Sequence, residues 1–127
     1  MESTQSKHKE INLSEVLGAN NSMFSGRPQG EDSRKTFRLD QLDKNENLII
    51  DIVIPKITTS ISPSFFLGFL YSSIKDLGYE KFSKKYNFIF DDSIDSLKRK
   101  IILNDINEAL RSARNSLKRN YGLKDIF

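Results

Sequence analysis

The chain reads as a small α/β domain: a short sheet of three to four strands, helices packed on it, and a long C-terminal helix. Three observations predict this. Leu48–Ile54 (LIIDIVI) is an apolar, β-branched run of strand length, as in a central strand covered on both faces. Ser62-Pro63 then opens a stretch in which Phe65, Phe66, Phe69, Leu70, Ile74 and Leu77 recur at helical spacing. A second amphipathic pattern fills residues 93–119. With 127 residues there is room for one domain with a real core and too little for two.

Taken in order, residues 1–7 are polar and are expected to be disordered, leaving 8–127 as a single domain. Lys9–Leu13 alternates and reads as an edge strand. Ser14 is placed to cap a short turn through Glu15, Val16 and Leu17, closed by Gly18. Residues 18–30 contain three Gly, two Asn and one Pro, which predicts a loop. Arg27 lies there between Gly26 and Pro28, either as an anion or partner contact or as a solvated surface arginine. Glu31–Leu42 is predicted helical, with Glu31 and Asp32 favouring its start and Arg34 one turn inside. Asp43–Asn47 is a polar turn into the central strand.

The stretch from Thr58 to Phe66 is the chemical focus of the sequence. Ser62 is placed as N-cap and Pro63 as first helical residue. The helix should run to Leu77 and stop at Gly78. Gly68 inside it predicts close packing, here onto the central strand. Phe65, Phe66, Phe69 and Tyr71 are expected in the core rather than as a stacking surface. Residues 79–86 read as a short helix or turn and 87–90 as a third strand. Asp91-Asp92-Ser93 is placed to cap the last helix. Its two apolar registers (Ile94, Leu97, Ile101, then Leu103, Ile106, Leu110, Ala113, Leu117) predict a kink or break near Asn104-Asp105.

Composition narrows the chemistry. There is no cysteine and one histidine, so thiol catalysis, disulfides and a multi-histidine metal site are excluded. No carboxylates form a recognisable acid/base pair. Asp51 lies inside the strand run without the acidic companions of a phosphate-accepting aspartate. The chain is therefore expected to be non-catalytic, with no cofactor and no metal. It has no apolar run of about 18 residues. The first residues lack a signal peptide's apolar segment. A cytoplasmic location is the expectation. Net charge is +3. Residues 92–127 hold eight Lys/Arg against five Asp/Glu, so the whole excess falls on the C-terminal segment.

Ser25-Gly26-Arg27, Arg34, Ile49-Ile50-Asp51 and Ser60-Ile61-Ser62-Pro63-Ser64-Phe65-Phe66 together resemble the STAS-like domain family of unknown function, akin to anti-sigma-factor antagonists and found beside histidine-kinase-like ATPases in bacteria. The likeness spans residues 24–90. In STAS domains the strand ends in Asp-Ser-Ser/Thr-Gly; here the Gly is absent and Pro63 intervenes. The resemblance implies a STAS-like fold and a regulatory domain that binds and modulates a partner ATPase or kinase, in bacterial signalling or phage defence. It marks Ser62 and Ser64 as candidate phosphorylation or switch positions. Ser25, Gly26, Arg27, Arg34, Thr58, Thr59 and Ser60 become candidate partner- or anion-binding residues. The plainer reading of the hydroxyl cluster is one helix cap among turn residues. The alternative function is nucleic-acid binding through Lys98, Arg99, Lys100, Arg111, Arg114, Lys118 and Arg119 on the basic C-terminal helix.

Overall fold

The structure, a computed structural model, describes residues 7–16, 23–24, 26–56, 58 and 60–126, and for 23, 24, 60 and 118–126 the backbone alone. It is an α/β domain. Three parallel strands, β1 (Lys7–Asn12), β3 (Leu48–Ile54) and β5 (Tyr86–Phe90), form a sheet in the order β1-β3-β5. A separate parallel pair joins β2 (Met23–Phe24) to β4 (Ser60–Ile61). The helices are α1 (Arg27–Phe37), α2 (Leu39–Asp43), α3 (Pro63–Leu77), α4 (Tyr79–Lys85) and α5 (Ser96–Ile126).

β3 spans the predicted residues, but its burial alternates. Ile50, Ile52 and Ile54 are fully buried, whereas Ile49, Asp51 and Val53 on the other face are only partly covered. Two covered faces were the expectation. The alternation explains how Asp51 can sit mid-strand without an uncompensated buried charge. The buried face meets α3, where Phe66 packs edge-on against Phe88 of β5 with ring centroids 5.7 Å apart. Phe65 and Phe69 stack with centroids at 5.6 Å, and both are fully buried. Burying each ring contributes about 1.5–3 kcal/mol. Tyr71 is half-buried at the margin of this cluster.

α3 matches its sequence signals at both ends. Ser62 accepts a hydrogen bond from the Phe65 N–H, Pro63 occupies the first helical position, and Gly78 closes the helix at φ 83°. α4 and β5 also fall where expected. The earlier part of the chain departs from the reading. β1 begins at Lys7, inside the segment expected to be disordered, and ends at Asn12. There the Asn12 side chain accepts from the Ser14 N–H and a 3-10 turn covers Leu13–Val16. Leu17, Gly18 and residues 1–6 lie outside the described residues.

The expected loop at 18–30 contains β2 and the first turn of α1. Pro28 is compatible with helix there because the N–H it lacks would have no intrahelical partner in a first turn. Gly30 is helical because α1 and α3 touch through backbone. A β-carbon at Gly30 would stand 2.1 Å from the Phe65 carbonyl oxygen, and one at Gly68 would stand 2.2 Å from that of Arg27. Gly68 therefore marks a close approach, but to α1 and not to the central strand. The single helix expected over Glu31–Leu42 is instead two. Arg38 adopts the left-handed conformation (φ 56°, ψ 47°), ending α1 and opening α2.

α5 runs unbroken where a kink was expected near Asn104-Asp105. It starts at Ser96, and Asp95 Oδ1 accepts from the Lys98 N–H in the manner of an N-cap. Asp91 instead closes the preceding turn, accepting from the N–H and hydroxyl of Ser93, which holds its carboxyl below the ordinary value. Among the described side chains of α5 the buried positions are Ile102, Ile106, Ala109 and Ala113, spaced 4, 3 and 4, and the helix packs on α3 and β4. Leu97 and Ile101 of the first apolar register and Leu103 of the second are 68%, 49% and 39% exposed.

Candidate partner-binding site

The β2–β4 pair brings two helix starts side by side. Phe24 pairs with Ile61, so the chain leaves β2 into α1 and β4 into α3 in parallel. Gly26 precedes α1 with φ 88°, a conformation open to glycine at little cost. Its N–H donates to Ser62 Oγ at 3.3 Å, and the same oxygen accepts from the Phe65 N–H at 3.1 Å. One hydroxyl thus holds the N-terminal backbone of both helices. Two positive helix ends lie together at this point. Ser64 stands exposed one residue into α3.

The other candidates divide. Arg27 is exposed, and its guanidinium lies 5.8 Å from the centroid of the Tyr71 ring. It borders a groove of about 460 Å³ between α1 and α3, together with Lys35, Arg38 and Leu67. Arg34 lines the same groove, but its guanidinium is committed internally. It is 7% exposed, and its five N–H groups go to Asp40, Asp43, Ser73 and the Phe69 carbonyl. That commitment makes it an internal strut between α1, α2 and α3. Thr58 is fully buried and so withheld from the surface, and its side-chain hydroxyl has no hydrogen-bond partner among the described residues. An unpaired buried hydroxyl costs about 1–3 kcal/mol. Ser60 pairs through its backbone; its side chain, like Ser25 and Thr59, lies outside the described residues.

Around Arg34 a buried polar network crosses the core. Asp43 accepts from Arg34 and from the hydroxyls of Ser73 and Tyr86. Burial, and then the hydrogen bond to the Asp43 carboxylate, raise the Tyr86 phenol well above its ordinary value. Tyr86 rests on Phe82, with ring centroids 4.7 Å apart.

The described basic residues of α5 divide between Lys98 and Arg99, which are engaged beside β3 and β5, and a row along one side of the helix. Lys98 donates to the Lys56 carbonyl, and Arg99 lies over Phe90, 5.4 Å from the ring centroid. Arg111 pairs with Glu108, and Arg114 stacks on Tyr79 at 4.4 Å. Lys100 is exposed, and helical spacing puts Lys100, Arg111 and Arg114 along one side of α5. The side chains of Lys118 and Arg119 lie outside the described residues.

Two constellations were not anticipated. His8 donates from Nδ1 to Asp51 Oδ2 at 2.7 Å, and Asn87 donates to Asp51 Oδ1 at 3.1 Å, forming a polar row across the sheet. Nothing local in the sequence links the single histidine to Asp51; only the β1–β3 register reveals its partner. Lys85 is buried at 9% exposure and bonds backbone carbonyls. In the sequence it is one lysine of a Lys84-Lys85 pair, with no signal distinguishing it. Among the described residues no three His, Asp or Glu side chains gather to hold a metal ion, and no helix is long and apolar enough to cross a membrane. Compared with protein-family models, curated proteins and solved structures, the chain finds no match.

Proposed function

We propose that this chain is a non-catalytic STAS-like regulatory domain that binds a partner protein through the end of the molecule where α1 and α3 begin. The observation that carries the reading is the shared hydroxyl of Ser62, which ties the Gly26 and Phe65 amides together. A charge added beside it acts on both helix starts at once and remodels the surface around Gly26, Arg27 and Ser64. The resemblance assigns the partner: a histidine-kinase-like ATPase in the bacterial cytoplasm, in signalling or phage defence. Ser64 is the accessible position for modification, and Ser62 is the position whose change the fold would feel most.

The test is recovery of the tagged chain from its host at low salt, with intact-mass analysis. Recovery of an ATPase whose binding is changed by Ser64→Glu supports the reading. An ATPase that binds the wild-type and Ser64→Glu chains equally removes the switch. Nuclease-sensitive nucleic acid in place of a protein, with a steep salt dependence, favours the basic face of Lys100, Arg111 and Arg114.

A further inference from the structure

A second concavity lies away from the helix starts. It is a cavity of about 640 Å³ bounded by the end of α2, the start of β3, the end of α3 and α4. Small-molecule sites commonly measure about 300–1,000 Å³. Its apolar wall is Leu48, Ile49 and Leu77, and its cations are Lys44, Lys81, Lys84 and Lys85.

Lys85 distinguishes this cavity from a patch of surface lysines. Its ammonium donates to the carbonyl oxygens of Asn45 at 2.5 Å and Leu48 at 3.0 Å. An ammonium has three protons, and among the described residues two of them find acceptors. The two acceptors are neutral dipoles, and among the described residues no carboxylate is hydrogen-bonded to the amine. Burial accordingly lowers the Lys85 pKa, only partly opposed by Asp43 and Glu46. Asp43 cannot rotate to serve it, because its oxygens are engaged by Arg34, Ser73 and Tyr86. Glu46 is thus the one uncommitted carboxylate facing four lysines. An ammonium that is hydrogen-bonded only to neutral carbonyls, in a cavity with four lysines against Glu46 and the engaged Asp43, leaves positive charge beside an apolar wall, and its complement is an anion with a hydrophobic body.

We propose that this cavity binds an anionic amphiphile, a small molecule with one carboxylate or phosphate head group and an apolar body. The head meets Lys85 and the outer lysines, while the body lies along Leu48, Ile49 and Leu77. This site stands apart from the Ser62 end and does not depend on the function proposed there.

The test is an amide-resolved NMR titration of the full chain at low ionic strength with octanoate, and with octylammonium and hexanol as charge-reversed and neutral controls. Octanoate is expected to give saturable shifts confined to Leu48, Ile49, Leu77 and Lys85, with at least tenfold weaker effects from both controls. Lys81→Gln/Lys84→Gln alters only exposed side chains and is expected to weaken octanoate at least fivefold with the spectrum otherwise preserved. Lys85→Met is expected to abolish it where the variant folds. Absence of saturable shifts, equal binding of octylammonium, shifts scattered outside the cavity, or an unchanged affinity in the double variant would each overturn the proposal.

Discussion

Gly30 and Gly68 clasp α1 and α3 from opposite sides of one contact. A β-carbon on Gly30 would meet the Phe65 carbonyl oxygen at 2.1 Å, and one on Gly68 would meet the Arg27 carbonyl oxygen at 2.2 Å. Both obstacles are backbone, which cannot swing aside as a flexible side chain can.

Alanine at either position must therefore push the helices apart, although alanine is the better helix former. The helix-propensity gain is about 1 kcal/mol. Overpacking costs about 1–3 kcal/mol or more, and separating the helices also strains the Ser62 bond to Gly26. Gly30→Ala and Gly68→Ala are expected to be destabilising, read as lower urea midpoints with an unchanged slope. A midpoint equal to or above wild type would show that α1 and α3 do not touch through backbone.

Ser62 and Ser64 should separate cleanly in stability. Ser62→Ala removes the N-cap of α3 and the acceptor for Gly26, a loss of about 1–2 kcal/mol. Ser64 is exposed, and Ser64→Ala is expected within about 0.5 kcal/mol of wild type. Thermal melts of the two variants check this. The difference matters for function, because a binding defect in Ser64→Glu can then be assigned to the surface and not to unfolding.

Arg38 carries a left-handed backbone in a residue with a β-carbon. The conformation lets its N–H close α1 on the Arg34 and Lys35 carbonyls before α2 begins. Arg38→Gly relieves the steric cost and is expected to raise stability by up to about 1 kcal/mol, measured by chemical denaturation. Its side chain is exposed, so no core contact offsets the gain.

Alkaline stability follows Tyr86. Burial and the Asp43 carboxylate raise its folded pKa above 10.0, so the folded chain keeps a proton that the unfolded chain releases. The folded state then binds more protons than the unfolded state above pH 10, and stability must fall as pH rises through that range. Tyr86→Phe leaves Asp43 with one donor fewer and is less stable at neutral pH. Its decline above pH 10 is nevertheless expected to be shallower, as measured by urea unfolding at stepped pH.

Much of the architecture was legible where signals are local. The β-branched run of β3, the Ser62-Pro63 start and the Gly78 stop of α3 each act within a few residues, and each lies where the sequence placed it. Errors arose where distant parts of the chain decide the outcome. Pro28 and Gly30 read as loop residues because nothing nearby reveals that α3 backbone lies against them. Arg34 read as surface chemistry because its partners Asp43, Ser73 and the Phe69 carbonyl are spread over 35 positions of sequence or more for two of them. The candidate site was half legible: the cap at Ser62 follows from its own helix, whereas its hold on Gly26 needs the β2–β4 pairing.

That pairing belongs to a wider pattern, since among the described residues every strand is parallel to its neighbour. Lys7 aligns with Leu48, Met23 with Ser60 and Ile50 with Tyr86, so each partner is roughly 40 residues away along the chain. None of these described pairs can zip up from a hairpin turn; each waits for the intervening helices to carry it across. The α1–α3 clasp therefore has a kinetic as well as a static role. By bringing the ends of β2 and β4 together it shortens the remaining search for β1, β3 and β5, and a variant that loosens it should slow refolding as well as lower stability.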